Sequence, residues 1–269
     1  MSLPRTEQIA RIFALARELP NLAALKPPRW ATPKLNGVRA MWVPNLGFFS
    51  KDGVPYEAGV LPHIERALAA STQWLDGELY SHGMTLQQIN ARAGVVRRTA
   101  HPNHSVIRFH VFDAPMLPGA FDDRMNKLRD FIKDAPSVEL VPFRWCPCKD
   151  KARAAHDANV SAGFEGTMFK DPGHYRMGLT DMMLKLKAWQ DEDYEVLELI
   201  EGEGKHKSSL GAVLCRAPNG ETFKVGAFEF DDDERLAAWI GPKPAKAKVK
   251  FMTLTDRGAP HCGRVLALF

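Results

Sequence analysis

Cysteine is scarce, with four residues in 269. So few thiols cannot staple a chain of this size, which excludes a disulfide scaffold and suits a reducing, cytoplasmic compartment. Cys146-Pro147-Cys148 is a single Cys-x-Cys pair, and Cys215 and Cys262 lie far along the chain. A structural zinc site needs a second pair beside the first, so zinc is not expected. The nine histidines show no pair spaced for a helical metal triad. No apolar run approaches the length of a membrane-spanning helix. The N-terminal stretch carries charge every few residues and lacks the apolar core of a secretory signal. Internal repeats and low-complexity tracts are absent. Apolar residues make up 45% and charged residues 25%, which excludes a disordered, collagen-like or fibrous chain. The length allows one large domain or two modest ones.

The charge that is present is unevenly placed. The net value is +4. Residues 1–190 hold 25 basic against 18 acidic side chains, a net +7, and residues 191–269 hold 11 against 14, a net −3. A basic larger part suits a polyanionic partner such as nucleic acid.

Apolar spacing over residues 4–18 predicts a short amphipathic helix on Ile9, Ile12, Phe13, Leu15 and Ala16. Residues 32–51 read as a hairpin around a Pro44–Gly47 turn. Strands are predicted at Trp74–Tyr80, Ser105–Phe112, Phe164–Lys170 and Met182–Trp189, with helices over 60–70, 121–133 and 149–162. Beyond residue 190 the signals shorten. Tyr194–Glu201, Gly211–Arg216, Thr222–Val225 and Lys248–Leu254 read as short strands, with a helix at Asp232–Ile240. Several short strands within some 80 residues predict a small barrel of OB type. The expected division is residues 1–189 and 190–269, in an α+β chain.

Four segments carry candidate chemistry. Ala31-Thr32-Pro33-Lys34-Leu35-Asn36-Gly37-Val38-Arg39 places a lysine on a strand, then a glycine and an arginine. Asp76-Gly77-Glu78-Leu79 and Glu165-Gly166-Thr167-Met168-Phe169-Lys170 place carboxylates on strands. Leu184-Lys185-Leu186-Lys187 puts two lysines on one strand face. Two ammonium groups there are costly unless an anion accompanies them, and a bound triphosphate would supply one.

Taken in order, K-x-N-G-x-R, S-K-D-G, D-G-E-L, F-x-x-F-D, E-G-x-x-x-K and L-K-L-K resemble the covalent nucleotidyltransferases, specifically the minimal two-domain ATP-dependent DNA ligases of viruses, phages and bacteria. Gly204-Lys205-His206-Lys207, Leu210-Gly211-Ala212 and Phe223-Lys224-Val225-Gly226 are similar to the ligase OB domain. The resemblance implies a nucleotidyltransferase (adenylation) domain of antiparallel sheets flanked by helices, followed by an OB-fold barrel. It implies that Lys34 attacks the α-phosphate of ATP, that AMP then passes to the 5′-phosphate of a nick, and that the 3′-hydroxyl displaces AMP. A protonated lysine cannot attack, so the expectation is that Lys185, Lys187 and a divalent metal supply a positive field around Lys34. Thr32 would lie near adenine, Arg39 by the ribose and the nick phosphate, and Phe112 against the base. Glu78 would accept from the ribose hydroxyls. Glu165, with Glu78, would hold Mg²⁺, for which Mn²⁺ may substitute. The partner would be nicked duplex DNA, bound by a monomer.

This chain departs from the family pattern at several places. Asn36 stands where Asp is usual, Lys51 where Arg is usual, and Leu179 where an arginine is expected, with Arg176 nearby. DNA-contact candidates are Asn36, Lys51, Arg97, Arg98, Arg176, Lys205, Lys207 and Ser208. An RNA ligase, a capping-type nucleotidyltransferase and a nick-binding protein with a degenerate site remain as alternatives.

Overall fold

The structure is a computed structural model describing residues 6–255 and 257–269. It divides into two compact units, Met1–Lys187 and Ala188–Phe269. No helix among the described residues is long and apolar enough to cross a membrane.

The first unit runs α1 (Thr6–Ala10), β1 (Ala14–Glu18), β2 (Arg29–Lys34), β3 (Val38–Val43), β4 (Gly47–Ser50), α2 (Pro62–Leu68), β5 (Leu75–Tyr80) and α3 (Leu86–Ala93). It continues with β6 (Arg108–Asp113), α4 (Phe121–Ile132), β7 (Val138–Leu140), β8 (Arg144–Cys146), α5 (Lys149–Ser161), β9 (Gly166–Lys170) and β10 (Gly178–Lys187). Two five-stranded sheets result, in the orders β1-β10-β9-β2-β8 and β4-β3-β5-β6-β7. Pairing is antiparallel except for β1 with β10 and β6 with β7.

The expected N-terminal helix is corrected. Residues 4 and 5 lie outside the described residues. The helix ends at Ala10, and Ala14–Glu18 form a strand along β10. Helical and strand spacing cannot be told apart over so short an apolar run. Pairing decides it, since the backbone groups of β10's edge are satisfied by β1.

Alternation along the strands separates two faces. In β5 and β6, Leu75, Leu79, Phe109 and Val111 enter a core built with Ile64, Leu68, Ile89, Met125 and Leu128 of the helices. Each such side chain contributes roughly 1.5–3 kcal/mol on burial. In β9 and β10, Phe169 and Leu186 pack with Ala152 and Ala155 of α5. The opposite faces of these same strands, carrying Glu78, Phe112, Met168 and Lys185, line one cavity.

The second unit contains β11 (Gln190–Glu201), β12 (Leu210–Arg216), β13 (Thr222–Val225), α6 (Asp232–Ile240), β14 (Lys246–Phe251), β15 (Thr253–Leu254), β16 (Pro260–His261) and β17 (Arg264–Leu268). Its main sheet has the order β13-β12-β11-β14-β17. The backbone after β13 returns to the far edge, where Val265 donates to the Ala227 carbonyl and Glu229 donates to the Val265 carbonyl, both at 2.9 Å. The sheet thereby curls around a core of Tyr194, Val213, Phe223, Val249 and Val265. Helix α6 begins at a reciprocal cap in which Asp231 accepts from the Glu234 N–H at 2.8 Å and Glu234 accepts from the Asp231 N–H at 2.9 Å.

Candidate active site

Residues 34–39 carry the chain from one sheet of the first unit to the other. Lys34 ends β2 and Arg39 lies in β3. Between them the backbone passes directly over β5. A Cβ at Gly37 would lie 2.4 Å from the Leu79 carbonyl oxygen and 2.8 Å from Glu78 Cγ, so only glycine fits. The short approach also lets the Gly37 N–H donate to Glu78. Gly166 meets the same need opposite β10, with φ +151° and a Cβ position 2.1 Å from the Leu186 carbonyl oxygen. Glycine at these two motif positions is what lets the strands close on the site.

The cavity measures about 350 Å³ and is lined by Leu15, Thr32, Lys34, Arg39, Lys51, Glu78, Phe112, Met168, Lys170, Met183 and Lys185, among others. Seven of the residues singled out in the sequence therefore meet around one space: Thr32, Lys34, Arg39, Lys51, Glu78, Phe112 and Lys185. Glu165 joins them through Lys34, whose Nζ lies 2.5 Å from Glu165 Oε2. Lys187 stands on the same face of β10 as Lys185, paired with Gly166 of β9. Asn36 lies half-buried in the crossing loop.

Burial pushes the Glu78 carboxyl up to about 7, against the pull of Arg39, Lys34 and the Gly37 N–H. Near neutral pH it exchanges between acceptor-only and donor forms. Arg39 is held on Asp76 by two bonds, Nε to Oδ1 at 3.0 Å and Nη2 to Oδ2 at 2.6 Å. Burial alone would lower its pKa, but the Asp76 carboxylate more than offsets this and raises it. The guanidinium also lies 5.3 Å from the Phe13 ring centroid and 5.0 Å from that of Phe112.

Several site residues escaped the sequence reading. Asp76 is fully buried and takes a third bond, from the Tyr175 hydroxyl at 2.7 Å. Lys170 is buried below Phe112, with Nζ 4.7 Å from the ring centroid, and donates to the Phe112 carbonyl at 2.7 Å. Burial lowers its pKa to about 8 against the attraction of Asp113. Asp113 itself is clasped by Arg124 of α4, with bonds of 2.7 and 3.1 Å. Asp76 and Lys170 stand inside the quoted motifs, where pattern alone marked other members, and Tyr175 stands next to Arg176. Arg124 has no local signal, being one basic residue in an amphipathic helix.

The group in contact with Lys34 is the Glu165 carboxylate. Lys185 and Lys187 share Glu18 of β1, whose carboxylate lies 3.4 and 3.9 Å from them. Part of the anionic charge expected on that strand face is thus supplied from within the chain.

The DNA-contact candidates divide by their surroundings. Arg97 donates to the carbonyls of Ala91 at 2.6 Å and Thr99 at 3.2 Å, which ties down its own loop. Arg98 is exposed and meets Glu57 at 3.6 Å. Lys51 is exposed at the cavity rim and pairs with Asp52. Arg176 is exposed before β10, and Leu179 is exposed within it. Lys205 lies in a short 3-10 turn, Gly204–His206, in the second unit, and Lys207 caps it. Ser208 follows with φ +63°, its N–H donating to Glu201.

Comparison with known proteins places this geometry. Residues 201–268 match the family model of the DNA ligase OB-like domain. The DNA ligase of Haemophilus influenzae is 24% identical over 248 residues, covering 85% of this chain and 82% of the relative. By sequence and by fold, the chain is similar to DNA ligases. A solved Lig E DNA ligase, described as binding DNA with a minimal scaffold, superposes with a TM-score of 0.77 at 24% identity, covering 95% of this chain and 98% of that one. The Chlorella virus DNA ligase-adenylate superposes with a TM-score of 0.55 at 21% identity, covering 95% and 97%. The α+β architecture of largely antiparallel sheets flanked by helices, with an OB-like match in the second unit, is the fold that the resemblance implied.

Proposed function

We propose that this protein is an ATP-dependent DNA ligase that seals 3′-hydroxyl/5′-phosphate nicks in duplex DNA through a lysyl-AMP intermediate. The observation that carries the reading is the convergence of Lys34, Glu78, Phe112 and Lys185 on one cavity large enough for a nucleotide. Residues 1–189 would act as the adenylation domain and residues 190–269 as the OB domain. The names of the relatives, DNA ligase and ligase-adenylate, support the substrate and the covalent intermediate.

In the first step the Lys34 ammonium gives up a proton, for which the Glu165 carboxylate is the nearest acceptor. The amine then attacks the α-phosphorus of ATP, and the bond to the β-phosphate oxygen breaks as pyrophosphate leaves. Phe112 offers its ring to adenine and Thr32 borders the base. Ionised Glu78 accepts from the ribose hydroxyls. Lys185 and Lys187 face the phosphates and stabilise the charge developing there. In the later steps the 5′-phosphate of the nick takes AMP from Lys34, and the 3′-hydroxyl expels it. Arg39, Lys51, Arg98 and Arg176, with Lys205, Lys207 and Ser208 of the second unit, would meet the DNA backbone, and Asn36 the nick.

The described residues hold no cluster of three or more acidic, histidine or cysteine side chains that could cage a metal. Glu165 and Glu78, both acting on Lys34, offer two carboxylates, and Mg²⁺ takes one or two and completes its shell with phosphate and water oxygens. Glu165 and Glu78 would hold it, and it would add charge neutralisation at the phosphates. The reading implies a monomer working in the cytoplasm.

The test is incubation with α-labelled ATP and Mg²⁺, after pyrophosphate stripping, followed by a denaturing gel. A labelled full-length band, lost in Lys34→Ala and chased onto nicked DNA, is expected. Its absence would favour a nick-binding protein with a degenerate site, for which Asn36 in place of aspartate and Leu179 in place of arginine are the relevant features. Nicked RNA and GTP in parallel separate the RNA-ligase and capping alternatives.

A further inference from the structure

Glu18 lies on β1, the strand the sequence did not anticipate, and its position follows from an irregular register. Ala14, Leu15 and Ala16 pair with Gly178, Leu179 and Thr180, but Arg17 and Glu18 pair with Leu184 and Lys185. Three extra residues of β10 are bulged out between these two sets. In unbroken register Glu18 would stand beside Met182. The shift instead sets it beside Lys185, where paired side chains of parallel neighbours share a face. The strand is pinned at both ends. The Ala14 N–H donates to the Tyr175 hydroxyl at 2.9 Å, and the Leu19 N–H donates to the Lys185 carbonyl at 2.8 Å. The Glu18 carboxylate then reaches both lysines, at 3.4 and 3.9 Å.

We infer that Glu18 is a built-in competitor for the nucleotide's phosphates, a positioning residue that acts through Lys185 and Lys187. The inference rests on the nucleotidyltransferase reading above. In the free enzyme the carboxylate gives the two ammonium groups an anionic neighbour. When phosphate oxygens arrive, the lysines exchange the carboxylate for them. When pyrophosphate departs, Glu18 pairs again, so the leaving group is never held by two uncompensated cations. The competitor sits on an edge strand and is half-exposed, so the exchange needs only a rotamer change. Its consequence is weaker binding of polyphosphate anions, bought for faster release.

The decisive measurement is calorimetric binding of pyrophosphate to the full chain, in the wild type and in Glu18→Gln. Removing the negative charge while keeping the shape is expected to tighten binding about fivefold, the size of a partly exposed ion pair. Glu18→Asp, which keeps the charge on a shorter arm, is expected to restore most of the wild-type value. Asp181→Asn makes the same change of net charge on the neighbouring pair with Arg17 and is expected to leave binding unchanged. In steady-state nick sealing, Glu18→Gln lowers KM for ATP with no gain in kcat, and pyrophosphate inhibits more strongly. Unchanged or weaker pyrophosphate binding in Glu18→Gln, or an equal effect of Asp181→Asn, would overturn the inference. The outcome is separate from that of the function itself. A wild type that never forms a labelled adduct counts against the ligase reading, whereas the pyrophosphate titration, made on stripped enzyme free of nucleotide, is read without any turnover.

Discussion

Asp76→Asn is the substitution whose cost the structure specifies best. Asp76 is fully buried, and its two oxygens take both bonds from Arg39 and one from Tyr175. Asparagine keeps the shape and one acceptor oxygen but turns the other position into a donor. That donor would face a guanidinium or a hydroxyl, and Arg39 would keep its charge with only the half-protonated Glu78 as an acidic neighbour. Removing one partner of a buried pair costs about 3–5 kcal/mol. The retained acceptor places Asp76→Asn at the lower end, about 3 kcal/mol, a large share of the roughly 5–15 kcal/mol of an ordinary domain. For a unit of this size the midpoint of thermal unfolding should fall by roughly 6–12 °C. Denaturant unfolding of the full chain, followed by tryptophan fluorescence, reads the same quantity. Tyr175→Phe alone should cost about 1 kcal/mol. In the Asp76→Asn background its cost should shrink, because the bond it removes is already damaged. A midpoint for Asp76→Asn within about 1 kcal/mol of wild type would show that Arg39 is stabilised by water rather than by Asp76, and the argument for a pre-set arginine would fail.

The remaining predictions concern pH, backbone and DNA. Glu78, raised to about 7, stabilises the free fold most below the ordinary carboxylate value, and that contribution is lost as pH rises through 7. Adduct formation, which needs the ionised form, should therefore rise between pH 6 and 8, and Glu78→Gln should flatten this profile in a pH series of labelling rates. Gly166→Ala should lose about 3 kcal/mol, since its Cβ would overlap the Leu186 carbonyl at a strained φ, and a melting temperature equal to wild type would contradict this. Arg98→Ala should weaken binding to nicked duplex and reduce the slope of log affinity against log salt by about one unit, as read in a fluorescence titration. Arg97→Ala should instead raise hydrogen exchange across residues 91–99, because its guanidinium bonds the loop's own carbonyls.

What the sequence determined by itself was the set of parts. The Pro44–Gly47 turn marks a hairpin, which β3 and β4 form, but the crossing at residues 34–38 that splits its first arm between two sheets appears only in the fold. Alternation in Leu75–Tyr80 separates the core residues from Glu78, and the lysine pair of β10 falls on one face by the two-residue period. The short strands after residue 190 read as a small barrel, and Asp232–Ile240 as the helix set among them. These are local rules, and each needs only neighbours along the chain. Tertiary structure decided the partners. Ala14–Glu18 is a strand because β10 offers it an edge, since a stretch of five residues has no conformation of its own. Asp76 belongs to Arg39 and Tyr175, Asp113 to Arg124, and Lys170 to Phe112, through contacts spanning 11 to 99 residues of sequence. Charge pairing at such separations depends on burial and on distances of a few ångströms, neither of which exists until the sheets have closed. For the same reason Glu18 faces two lysines only because of a bulge in a register that no reading along the chain could supply.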